Sequence, residues 1–118
     1  MTRALPSLLL LSLSACSHAG FNTVPQAEQH ALAQGLQLTD KRDATGVLFS
    51  VPAYSYKANG GVPLTIAQFD SRREAVRWME LSAYARLPDV TLVRRGAVVF
   101  AIKGPRDPEH QQVIQALR

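Results

Sequence analysis

One cysteine, Cys16, occurs in 118 residues, so no disulfide can form within the chain. A C-x-x-C pair and a multi-thiol metal site are excluded with it. The chain has no apolar run of about 20 residues, the length needed to cross a bilayer as a helix. It has no Gly-x-Ser-x-Gly elbow and no Gly-rich loop followed by Lys-Ser/Thr. Its three histidines, His18, His30 and His110, lack the i, i+4 spacing of a helical metal site. Acidic residues are outnumbered, nine against thirteen basic ones, for a formal charge of +4. The carboxylates are scattered, and several sit where helix starts are expected, as Asp70 and Glu74 do. No catalytic residues, metal ligands or cofactor are therefore assigned, and the expectation is a protein that is not an enzyme.

What is present begins with "MTRALPSLLLLSLSAC". Arg3 is followed by about a dozen mostly apolar residues and then by small ones, the pattern of a secretory signal peptide. The last four residues, Leu13-Ser14-Ala15-Cys16, resemble the lipobox of bacterial lipoproteins. The resemblance covers residues 1–16 alone. It implies that Cys16 is acylated on sulfur, that residues 1–15 are removed, and that the new amino group is acylated in turn, a palmitate-type modification. Ordinary secretion with an incidental cysteine and a cytosolic protein with an apolar amino terminus are the alternatives. Two or more acyl chains hold a protein firmly, since each buried methylene contributes about 0.8 kcal/mol.

The resemblance also implies an address. Ser17, where aspartate would signal retention at the inner membrane, points to the periplasmic side of the outer membrane in a two-membrane cell. In a single-membrane cell the protein would sit on the outer face of the cell membrane. Nucleic acid is not an expected partner for an exported protein. Residues 16–22 read as a short lipid-tethered linker, and residues 23–118 as a single α+β domain.

Within that domain, Thr23 and Gln26 suit a capping box before an amphipathic helix that Gly35 stops. "LQLTDKRDATG" reads as a brief extended piece and a polar loop. Val47, Phe49 and Val51 alternate as a strand running on toward Tyr56, although Pro52 interrupts it. Asn59-Gly60-Gly61 favours a reversal into a strand with Leu64 and Ile66 on one face. Ser71-x-x-Glu74 caps a helix whose stripe, Ala75, Val76, Met79, Ala83 and Leu87, runs to Pro88. A hairpin turning at Gly96 follows, then a helix opened by Asp107 and Pro108. The expected fold is a largely antiparallel four-stranded sheet with two helices on one face (ββαββα), preceded by an amino-terminal helix.

Two clusters are candidates for contact. Arg72, Arg73, Arg77, Arg94 and Arg95 could meet an anionic surface or an unknown envelope protein, with Glu74 and Glu80 placed to neutralise Arg77 locally. Tyr54, Tyr56 and Trp78 could line a pocket for a small molecule or glycan. The leading expectation is a membrane-anchored accessory module without catalysis. Ligand binding at those aromatics is the alternative.

Overall fold

The structure, a computed structural model, describes residues 20–46 and 51–118. Cys16 and His18, like Val47 and Phe49 of the expected strand, lie outside the described residues. The elements in order are α1 (Val24–Ala33), β1 (Leu38–Asp43), β2 (Ala53–Ala58), β3 (Val62–Gln68), α2 (Arg72–Leu81), a 3-10 turn (Ala83–Arg86), β4 (Val90–Arg95), β5 (Val98–Lys103) and α3 (Pro108–Leu117). The strands form one antiparallel sheet in the order β1-β2-β3-β5-β4.

The fold is α+β, as expected, with a five-stranded sheet instead of a four-stranded one. The added strand is β1, whose residues Leu-Thr-Asp-Lys-Arg-Asp show no apolar alternation. It is an edge strand, and charge on an edge discourages pairing with other chains. Its register slips between Thr39 and Arg42, where Asp40 takes a φ of 55°. Asn59 ties its start to β2 by receiving a hydrogen bond from the Gln37 amide and donating one to the Gln37 carbonyl.

The helices divide between the two faces, which corrects the one-face arrangement. β3 and β4 run parallel with β5 between them, so α2 belongs to a crossover connection. Such crossovers are right-handed in about 98% of cases, a preference that leaves the helix one choice of face. α1 and α3 cover the other face. β5 needs both covers, because Val98 to Ile102 is an unbroken buried run. Val98, Phe100 and Ile102 meet α1 and α3, with Leu64, Ile66, Val113 and Leu117. Val99 and Ala101 turn to the smaller cluster of Phe69, Ala75, Trp78 and Met79.

The caps agree with the sequence. Thr23 Oγ1 accepts from the Gln26 amide at 3.3 Å, Ser71 Oγ from Glu74 at 3.1 Å, and an Asp107 carboxylate oxygen from His110 at 2.9 Å. The second helix is shorter than its stripe suggested. Ser82 is extended, and its hydroxyl accepts from the Tyr84 amide at 3.2 Å, which starts the 3-10 turn instead of another α turn. Leu87 is consequently exposed.

At the other hairpin, Gly96 has a φ of 66° and is the first of two loop residues, the position a tight turn of this kind reserves for glycine. Phe21 forms a parallel bridge to it, accepting from the Ala97 amide at 2.7 Å. The segment up to residue 22, expected to be linker, is therefore stitched to the sheet at Phe21.

Candidate functional site

Arg72, Arg73 and Arg77 are exposed on the outer side of α2. With Val76 and Glu80 they border an open groove of about 580 Å³. None of the three pairs with a carboxylate among the described residues. The local neutralisation of Arg77 by Glu74 and Glu80 is thus not formed. Arg73 and Arg77 stand at like-charge i, i+4 spacing, which costs a helix about 0.2–0.5 kcal/mol.

Arg94 and Arg95 do not join that groove. Neighbours on a strand point to opposite faces, so Arg94 lies on the α2 side and donates to the Gly96 carbonyl at 3.0 Å. Arg95 lies on the α1 and α3 side, its guanidinium 5.2 Å from the Phe21 ring centre and donating to the Leu117 carbonyl. The five arginines make two groups, one on a helix and one astride a hairpin tip.

The aromatic candidates are separated by the sheet. Tyr54 and Tyr56 pack with α1 and α3, whereas Trp78 packs on the opposite face against Phe69 and Tyr84, with ring centres 5.7 Å and 6.3 Å away. No pocket among the described residues is lined by all three. Tyr56 is buried, and its hydroxyl donates to Glu28 Oε2 at 2.6 Å. The same oxygen meets Lys41 Nζ at 2.8 Å, and that ammonium lies 4.5 Å over the Tyr54 ring. Burial, with the Glu28 carboxylate alongside, pushes the Tyr56 hydroxyl strongly up, so it is a fixed donor. Trp78 borders a separate cleft of about 380 Å³ with Phe69, Glu74, Arg77 and Leu81. Sequence reading missed Glu28 and Lys41, because partners that meet across a helix and a bulged strand leave no spacing signal.

Both described histidines have packing roles. His110 is buried, with Nδ1 2.7 Å from Asp107 Oδ1. Hydrogen bonds from the His110 amide and ring hold the Asp107 carboxyl below its usual range. The His30 ring packs tilted against Phe21, their centres 4.8 Å apart, and its Nε2 is buried without a hydrogen-bond partner among the described residues. Burial and the Arg95 charge push His30 below the ordinary imidazole value, against the pull of the Ala116 carbonyl. Among the described residues no three His, Cys, Asp or Glu side chains come together as a metal site, and no helix is long and apolar enough to cross a membrane.

No protein-family model matches this chain, and no curated protein or solved structure matches it either.

Proposed function

We propose that this chain is a lipid-anchored interaction module of a bacterial envelope, without catalytic activity, that meets an acidic partner through the outer face of α2. The observation that carries the contact is the group Arg72, Arg73 and Arg77, three exposed cations on one helix with no ion pair among the described residues. Like charges at this spacing disfavour the helix, and an acidic surface laid against them removes that penalty. Arginine suits the task because its planar fork binds carboxylates in bidentate fashion. The anchor is supported by Leu13-Ser14-Ala15-Cys16 and the short apolar run before it.

Two measurements test the two halves. Mass spectrometry of the amino-terminal peptide from the native host is expected to show an acylated Cys16 as the first residue. A free thiol there removes the anchor. Pull-downs from detergent-solubilised envelopes then compare the native chain with Arg72→Glu/Arg73→Glu/Arg77→Glu. The expected outcome is loss of an acidic protein on charge reversal. Equal recovery of every co-purifying protein removes the α2 contact.

A further inference from the structure

The tip of the β4–β5 hairpin collects basic groups at the point where the amino-terminal segment enters the fold. Phe21 is bonded there, its amide donating to the Arg95 carbonyl and its carbonyl accepting from Ala97. Arg95 lies over the Phe21 ring and reaches the last turn of α3 at Leu117. Arg95, Arg118, His30 and the amides of Gln34 and Gln115 border an open pocket of about 380 Å³ beside Phe21. No acidic side chain is among the described residues that line it. Arg94 flanks the same tip from the other side. The acidic residues of α3 and its cap, Asp107 and Glu109, sit at the opposite end of that helix, about 15 Å away at 1.5 Å of rise per residue. The carboxylates of Asp107 and Glu109, with Arg106 beside them, thus lie at the end of α3 away from the point where the chain enters.

The distance to Cys16 gives this polarity a direction. Phe21 is five residue steps on from Cys16, at most about 18 Å when fully extended. We infer that the hairpin-tip end, with Arg95 and Arg118 leading, is the face turned to the bilayer, where both arginines take the phosphates of anionic lipid headgroups. This rests on the lipid-anchored reading above. An arginine held near an anionic leaflet is attracted to it, and two together favour one orientation of a tethered domain. The other end of α3, where Arg106 and Lys103 are offset by Asp107 and Glu109, lacks this net attraction.

The test uses the mature chain isolated from its host and placed in vesicles of phosphatidylcholine with phosphatidylglycerol, or of phosphatidylcholine alone. A fluorophore is attached at Gln115→Cys or at Glu109→Cys, both exposed positions at opposite ends of α3. In the anionic vesicles, lipid-borne nitroxide is expected to quench the Gln115 label severalfold more than the Glu109 label. Arg118→Gln, which alters only an exposed side chain, and Arg95→Gln/Arg118→Gln should bring the two labels progressively together. Equal quenching in the unsubstituted background overturns the orientation. Shielding of the Gln115 label from aqueous iodide without lipid quenching overturns it too, and assigns the face to a protein. Intact mass on the same preparation separates the two inferences. With Cys16 acylated and quenching equal, only the orientation fails. With Cys16 unmodified, the anchor fails and the orientation with it.

Discussion

The hydroxyl of Tyr56, on β2, donates to Oε2 of Glu28, on α1, at 2.6 Å, joining the amino-terminal helix to the sheet. Removing the donor leaves a partly buried carboxylate with Lys41 as its remaining partner. Tyr56→Phe is expected to cost about 1.5–3 kcal/mol, the range for a hydrogen bond to a charged group, read as a lower urea midpoint. An unchanged midpoint would show that water replaces the hydroxyl at no loss.

The same carboxylate governs behaviour in acid. Burial alone would raise the Glu28 pKa, but hydrogen bonds from Lys41 and Tyr56 outweigh it and hold the group below its usual value. The unfolded chain therefore takes up this proton first as pH falls. The stabilisation is complete above the ordinary carboxylate range and is lost as pH drops through the lowered folded value. Glu28→Gln should flatten this limb of a stability-against-pH curve measured by urea unfolding.

His30 has a different window. Its folded pKa is depressed by burial and by Arg95, so the native state prefers the neutral ring. Stability should be level above the ordinary imidazole value and decline as pH falls through it toward the lower folded value. Thermal melting of native chain and His30→Gln across that interval checks the point. The native curve should fall the more steeply.

Two glycines are expected to resist substitution for different reasons. A Cβ on Gly96 would stand 2.5 Å from the Phe21 carbonyl oxygen, in addition to the cost of a φ of 66°. Gly96→Ala should lose about 2 kcal/mol or more. Gly35 has a φ of 87° and open space around it, so Gly35→Ala should lose only about 1 kcal/mol. Equal losses in urea unfolding would mean that the contact with Phe21 yields freely.

At Gly104 a Cβ would overlap Nε2 of His110, the ring that bonds Asp107 at the start of α3. Gly104→Ala is expected to cost about 1–3 kcal/mol, as overpacking does elsewhere. Faster amide exchange at the amino end of α3 would accompany it. A shift confined to the β5 end would show that the ring moves aside without releasing the cap.

Local chemistry was legible in the residues, and topology was not. Thr23, Ser71 and Asp107 each mark a helix start because a side-chain oxygen answers an orphan amide within three positions. β1 reads as no more than a brief extended piece and a polar loop, because an edge strand needs no apolar alternation and Asp40 breaks its period with a bulge. Arg95 is parted from Arg72, Arg73 and Arg77 by the sheet, whereas Arg94 lies on the α2 side. Which face a helix covers depends on the hand of a crossover, and the linear pattern does not record it. Tyr54 and Tyr56, two apart on one strand, share a face, yet Trp78 belongs to the far side of the same sheet.

The bridge between Phe21 and Gly96 has a mechanical consequence. Any tension on the chain upstream of residue 21 reaches the domain first through two peptide hydrogen bonds at a hairpin apex. Phe21, with its ring against Phe100 and His30, acts as the cleat that stops the load from peeling α1 off the sheet.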